Sequence, residues 1–384
     1  MTGFTLDRVP MLTQAPGAID TLGALAARLG GKAPVLLVAD PGLRATGAID
    51  RAEAALRTAG LRFTTFTGLK SDPTAAQVDA AAAAARTAQA GVVVALGGGS
   101  ALDVGKAAAA LAPGAAPAEH YALAVNPLPA RPLPKICVPT TSGTGSETTR
   151  VSVVTAATGA KIWLWGDEIK ADAVLLDPAL TVALPAHLTA ATGIDALVHA
   201  LEACTNANAF AANDMYCLEA IRLVARHLPR AVEAPDDLAA RGAVQVAAAL
   251  AGIGIDNAGT AIAHNIGHAL ASLRPVHHGR AVGIALLATL PWNVAHDPDG
   301  RFAAVAEAMG AKREAAALPD AFAALIRRVG VKLSLAGEGH DDVTAERLAG
   351  QMAAPENAPM RQSNRRAVSD ADLLTLARAT LNAA

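Results

Sequence analysis

The chain is poor in charge, in aromatic rings and in cysteine. Charged residues make up 17% of its 384 positions and aromatic residues 3%. The three cysteines, Cys137, Cys204 and Cys217, are odd in number and show no CxxC spacing, which excludes a disulfide framework and leads us to expect a reducing, cytoplasmic location. The 32 basic and 34 acidic residues are well mixed and sum to −2, so there is no electrostatic footprint for nucleic acid. A long apolar run is also missing. Hydrophobic residues reach 52% and mean hydropathy +0.33, but alanine tracts such as Ala80 to Ala85 and Ala107 to Ala110 carry the excess. A bilayer span needs ~20 consecutive apolar residues, and the longest candidates, Val246 to Ile255 and Ala281 to Leu290, are about half that. They read as buried helices, and no membrane partner is expected. Met1 to Met11, with Asp7 and Pro10, lacks the layout of a secretory signal.

At roughly 100–200 residues per domain the length suggests two domains, each able to bury its own core. Up to about residue 180, short β-branched runs alternate with alanine-rich helical stretches. Val35 to Asp40, Arg62 to Thr67, Gly91 to Leu96, Lys135 to Pro139 and Ala173 to Asp177 read as strands, several uniformly apolar as a parallel sheet buried on both faces requires. Ile19 to Leu29, Thr46 to Ala59, Ala75 to Ala90 and Ala101 to Leu111 read as helices between them. This is an α/β domain with a doubly wound, mostly parallel sheet. Beyond Asp177-Pro178 helical periodicity takes over, through Gly193 to Cys204, Ala212 to Arg226, Asp236 to Ile255 and Thr260 to Ser272. We expect domains at 1–180 and 181–384, the second all-helical, with the break where Pro178 and Pro185 interrupt the pattern.

Two loops after buried strands point to a nucleotide. The first is Gly97-Gly98-Gly99-Ser100, with Asp103 and Lys106 on the helix it opens. Glycines there let backbone N–H groups approach a phosphate at the positive end of the helix, although a tight βα turn with nothing bound has the same composition. The second, VPTTSGTGSE at Val138 to Glu147, offers Thr140, Thr141 and Thr144 beside glycines, suited to a pyrophosphate or equally to helix capping. The usual Rossmann fingerprint is absent. Asp40, at the end of a strand, suits the two ribose hydroxyls of NAD and repels the 2′-phosphate of NADP, or else caps the turn at Asp-Pro-Gly.

In the helical half Asp195 and His199 lie four apart on one helix face, His264 and His268 repeat that spacing, and His277-His278-Gly279 follows. Burying an unpaired carboxylate among several imidazoles is costly without a partner such as a metal. An Asp/His/His/His set is an N₃O donor group suited to Fe(II), Zn(II) or Co(II).

GGGSxxDxxK at Gly97 to Lys106, TTSGTGSE at Thr140 to Glu147, TGIDALVHALE at Thr192 to Glu202, HNIGH…HHG at His264 to Gly279 and DPALT at Asp177 to Thr181 together resemble the iron-containing (group III) alcohol dehydrogenase family, of the dehydroquinate synthase-like superfamily. The resemblance runs nearly end to end. It implies a nucleotide-binding domain, a helical metal-binding domain and an active site between them, with metal ligands at Asp195, His199, His264 and His278 and a proton-transfer role for His268. It further implies cofactor contacts at Asp40, Gly97, Gly98, Gly99, Ser100, Asp103, Thr140, Thr141, Thr144 and Lys161. His277 stands outside the ligand set. The chain departs from the family pattern at Asn364-Arg365-Arg366, where Asn-Pro-Arg is usual, and at Asp72-Pro73-Thr74, where Asn-Pro-Thr is usual.

The expected activity is metal-dependent, NAD(H)-linked oxidation of a primary alcohol or reduction of an aldehyde. Fe(II) is the expected metal with Zn(II) as the alternative, and NAD(H) is expected over NADP(H). Family habit suggests a homodimer or larger homo-oligomer. Few aromatic residues leave little for a stacking pocket, which points to a small aliphatic substrate. Arg361, Arg365 and Arg366 would instead suit an anionic aldehyde, unless they form a solvated basic stretch; Arg150 and Met360 are further substrate candidates. Two other classes compete: a metal- and NAD-dependent carbon–oxygen lyase of the dehydroquinate synthase type, and a non-catalytic nucleotide-binding assembly protein.

Overall fold

A computed structural model describes residues 3–383. By internal packing the chain divides into two units. One comprises Arg8–Thr141 with Gly145–Leu184; the other is the chain from Pro185 onward, with the residues up to Asp7 and the short stretch Ser142–Thr144.

The first unit holds a parallel sheet of β1 (Met11–Gln14), β2 (Val35–Ala39), β3 (Phe63–Phe66), β4 (Val92–Gly97), β5 (Lys135–Pro139) and β8 (Ala173–Leu176), in the order β1-β8-β5-β4-β2-β3. Every residue of β2, β4, β5 and β8 is buried, yet the two-residue period still sorts them. Val35, Leu37, Val92, Val94 and Leu96 face α1 (Leu22–Gly30) and α2 (Ala48–Thr58), while Leu36, Val38 and Val93 pack with α3 (Ala75–Thr87) and α4 (Gly99–Leu111). Helices on both faces are what uniformly apolar strands demand. Thr74 starts α3 with a capping box, its hydroxyl accepting from Gln77 N while Gln77 Oε1 accepts from Thr74 N.

Three strands escape the sequence reading: β1 at the sheet edge, and an antiparallel hairpin of β6 (Val151–Thr155) and β7 (Lys161–Trp165). The hairpin lays Val154, Ile162 and Leu164 against the α3–α4 side of the core.

The helical unit contains α5 (Ala186–Thr205), α6 (Ala211–Glu233), α7 (Leu238–Ala258), α8 (Ile262–Leu273), α9 (His278–Val294), α10 (Arg301–Ala308), α11 (Leu318–Arg328), α12 (Ala345–Met352), α13 (Ala358–Gln362) and α14 (Asp370–Ala383). The α6 helix continues past Pro229 and α9 past Pro291, beyond the ends that proline would suggest. The longest apolar stretch also grows. At 21 residues α7 is, by length and composition, long and apolar enough to cross a membrane, but 67% of its most apolar 18-residue window is buried within the fold. Its Arg241 is paired there, donating to Thr189 Oγ1 and the Pro235 carbonyl.

Candidate metal centre and cofactor loops

Asp195, His199 and Glu202 follow one another at four and three residues along α5, so they share a face of a helix buried from Thr189 to Thr205. His264 lies in the first turn of α8, and His278 is the first residue of α9. One candidate ligand atom from each of Asp195, His199, His264 and His278 lies within 4.8 Å of all the others. Asp195 Oδ1 is 3.5 Å from His278 Nε2, 3.9 Å from His264 Nε2 and 3.9 Å from His199 Nδ1.

Three of these buried atoms, Asp195 Oδ1, His199 Nδ1 and His264 Nε2, have no hydrogen-bond partner, and all three face the same point. Each orphaned buried group costs ~1–3 kcal/mol, and a divalent cation among them satisfies all three at once. The residues therefore fit the metal that the sequence suggests. Burial alone would raise the Asp195 carboxyl, but His199 and then His278 outweigh it and hold it below the usual carboxylate range. Burial, followed by His199 and His278, holds His264 well below the ordinary imidazole value, so it stays neutral as a ligand must be.

Glu202, not singled out from the sequence, packs directly behind this set. Its carboxylate accepts from Ala261 N at 2.8 Å and Ala263 N at 2.6 Å, capping α8, and lies 2.6 Å from His264 Nδ1. That contact orients the ring so that Nε2 faces Asp195, the arrangement in which a carboxylate behind a histidine sets its direction toward a metal. Burial pushes Glu202 up to about 7 against those backbone bonds. The available clue was spacing: Glu202 is seven residues beyond Asp195.

His268 stands beside the set, its half-buried ring 5.3 Å from that of His278 and 6.3 Å from that of His264. His277 is the exposed residue preceding α9. Gly279 has a strict role, since a Cβ there would lie 2.1 Å from the Ala191 carbonyl oxygen and 3.1 Å from Asp195 Cβ. Only glycine lets α9 begin against α5.

In the first unit, β2 and β4 are neighbours whose following connections lead to opposite sides, so their carboxyl ends form a switch point of the kind where open α/β sheets bind ligands. Asp40 and Gly97 sit there together, a Cβ on Gly97 falling 3.4 Å from Asp40 Cβ. At φ +150° Gly97 turns the chain into Gly98, which precedes Gly99 and Ser100 at the start of α4. Asp40 Oδ1 accepts from Gly42 N at 2.8 Å, so the turn-forming role is real, but among the described residues Oδ2 has no partner. Thr140 N bonds the Gly97 carbonyl, and Thr141 lies beside Gly98, setting the second loop next to the first. Thr144 belongs to the stretch that packs with the helical unit, where Gly143 abuts Thr192.

Two of the expected cofactor residues are engaged within the chain. Asp103 accepts from Ser146 Oγ at 2.5 Å and Val153 N at 3.0 Å, which ties α4 to the second loop and the hairpin. Lys161 bonds Asp72 and Thr155, each at 3.0 Å, and Asp72 has φ +56° in the Asp-Pro-Thr departure. Lys106, wholly buried, donates to the carbonyls of Ser146, Thr149 and Val151. Beside it, burial pushes Glu147 up to about 7, and its Oε1 lacks a partner. A raised carboxyl pKa means the stability of the neutral form is complete below about 4.5 and is lost as pH rises through about 7. The Tm advantage of Glu147→Gln over wild type should therefore widen from pH 5 to pH 8, by up to about 3 kcal/mol in stability. Thermal unfolding of both proteins across that range checks it, and a constant gap would contradict it.

The arginines suggested for substrate are committed elsewhere. Arg361 donates twice to the Val368 carbonyl and pairs with Asp370; Arg365 pairs with Asp299. Arg150 pairs with Asp167 and lies 5.1 Å over the Trp165 ring. Arg366 stacks 3.9 Å over Trp292 and donates to its carbonyl, while Asn364 bonds Asn293. The Asn-Arg-Arg sequence is thus accommodated by local pairing. Met360 is half-buried in α13, and Asn265, inside HNIGH, holds the Met352 and Asn357 carbonyls.

Residues 10–178 match the iron-containing alcohol dehydrogenase family and residues 189–381 its C-terminal domain. The chain is 38% identical over 301 residues to 1,3-propanediol dehydrogenase of Klebsiella pneumoniae, covering 77% of this chain and 76% of that one. A crystal structure of a 1,3-propanediol oxidoreductase superposes with TM-score 0.90 at 32% identity over 98% of this chain and 100% of that one. The sulfoacetaldehyde reductase of Bifidobacterium kashiwanohense in complex with NAD⁺ superposes with TM-score 0.90 at 27% identity over 99% of each. The doubly wound first unit, the helical second unit and these matches agree: this chain is an oxidoreductase that belongs to the iron-containing alcohol dehydrogenase family.

Proposed function

We propose that the enzyme interconverts small, uncharged aliphatic primary alcohols and aldehydes with NAD(H), holding Fe(II), or Zn(II) in its place, at Asp195, His199, His264 and His278. The observation that carries this reading is the convergence of three buried, unpartnered ligand atoms on one point. When bound, the metal supplies Lewis acidity to an alcohol or carbonyl oxygen and the nicotinamide accepts or returns hydride. Glu202 holds the His264 ring in register. His268 takes the hydroxyl proton and passes it toward solvent. Asp40 Oδ2 takes a ribose hydroxyl of NAD and repels the 2′-phosphate of NADP, and the start of α4 at Gly98, Gly99 and Ser100 takes the pyrophosphate beside Thr140, Thr141 and Thr144. Asp103 and Lys161 shape those loops through the contacts they already make. An uncharged substrate is favoured because Arg150, Arg361 and Arg365 all have partners. Three unpaired, buried cysteines suit a reducing cytoplasm, and we place the working form as a homodimer or larger.

The test is kcat/KM for butyraldehyde and succinic semialdehyde, with NADH and NADPH, in wild type and Arg365→Ala. The neutral aldehyde with NADH should be preferred and the ratio between aldehydes should not move in the variant. A preference for the anionic aldehyde that Arg365→Ala abolishes would refute the substrate reading. Failure to produce net NADH from any alcohol would refute the dehydrogenase reading.

A further inference from the structure

His278 is the least buried of the four candidate ligands, with 37% of its side chain exposed, and it begins α9 after a short link, Arg274–His277. Two arginines bracket it. Arg280, whose side chain is only 14% exposed, uses all three guanidinium nitrogens on one segment. Nε donates to the Lys332 carbonyl, Nη1 to Glu338 Oε2 at 2.6 Å, and Nη2 to the Ser334 carbonyl. Arg274 donates Nε to the Gly339 carbonyl at 3.0 Å and pairs with Asp342.

The segment so gripped, residues 332–342, contains neither helix nor strand. It is closed on itself by the Lys332–Glu338 ion pair, and Leu335 anchors it in the helical core. Three guanidinium donors fixed on two carbonyls and a carboxylate define both position and orientation, which a single point charge does not. The grip falls two residues after His278 on one side and four before it on the other. A ligand already held in one conformation binds without further ordering, and a freed one must lose that entropy at binding.

Resting on the reading that the four residues hold a divalent metal, we infer that segment 332–342 is a brace for His278, applied through Arg274 and above all Arg280, which is a positioning residue for metal retention. The probe is Co(II), loaded into metal-stripped wild type, Arg280→Ala, Arg280→Lys and Arg301→Ala, with release to excess chelator followed by the Co(II) visible absorption. Arg301→Ala breaks the Asp214 ion pair elsewhere in the helical unit and controls for general loss of stability. Release from Arg280→Ala should be roughly 10-fold faster than from wild type, the scale on which outer-shell support alters metal affinity. Arg280→Lys should fall between them, and Arg301→Ala should match wild type. The brace is overturned if Arg280→Ala releases at the wild-type rate, or if Arg301→Ala releases as fast as Arg280→Ala. Should Arg280→Ala fail to fold, Glu338→Gln decides, faster release supporting the brace and an unchanged rate overturning it. A folded wild type that binds no Co(II) would instead refute the metal reading itself.

Discussion

Turnover by His264→Ala should fall by about 10⁴-fold or more, with metal content near zero and NAD binding nearly intact, because a Lewis acid supplies several kcal/mol at ~1.4 kcal/mol per factor of ten. The size of the effect follows from where His264 sits. Its Nε2 is one of the three buried atoms that a cation placed among them would satisfy, and its Nδ1 is engaged by Glu202. Alanine removes that donor atom altogether. Metal analysis of the purified variant, steady-state kinetics and NAD titration check the three parts separately. Full activity in metal-free His264→Ala protein would overturn the site, whereas loss of NAD binding alongside turnover would mean that the substitution had disturbed the fold.

Glu202→Ala should weaken metal binding by roughly 10–100-fold even though Glu202 is not itself a ligand. The same change should lower stability by ~3 kcal/mol, since Ala261 N and Ala263 N lose a buried acceptor and each such loss costs ~1–3 kcal/mol. Glu202→Gln keeps one acceptor oxygen and should lie between. Metal titration and thermal unfolding of the stripped proteins separate the effects: the stability loss should persist without metal, and the affinity loss should appear only on titration. An unchanged metal Kd in a well-folded Glu202→Ala protein would remove Glu202 from the site.

Much of this centre was legible because metal chemistry needs rare residues at fixed spacings. Asp195 and His199 four apart, and a second pair of histidines with the same interval, stand out in a chain with ten histidines. The buried strands were equally plain, since Val35 to Ala39 and Val92 to Leu96 contain nothing polar. What stayed hidden depends on partners distant in the chain. A glutamate on a long helix reads as solvated, and only the docking of α8, 59 residues on, makes Glu202 a buried acceptor. The basic stretch at Arg361 to Arg366 shows its charge but not its partners, which are two carbonyls, two aspartates and a tryptophan face. The hairpin was missed because each strand has five residues, half of them only partly buried, and their pairing is set by packing against α4 and the neighbouring loop.

The contact between Gly279 and Ala191 has a further consequence for how this centre can be retuned. At that point α9 and α5 meet backbone against backbone, with no side chain left to shorten. The approach of the two helices there therefore has a floor but no comparable ceiling. Natural drift or deliberate redesign can open the cage toward larger ions by adding bulk between the helices, but no single substitution at this contact can tighten it. The compliance of the site runs in one direction.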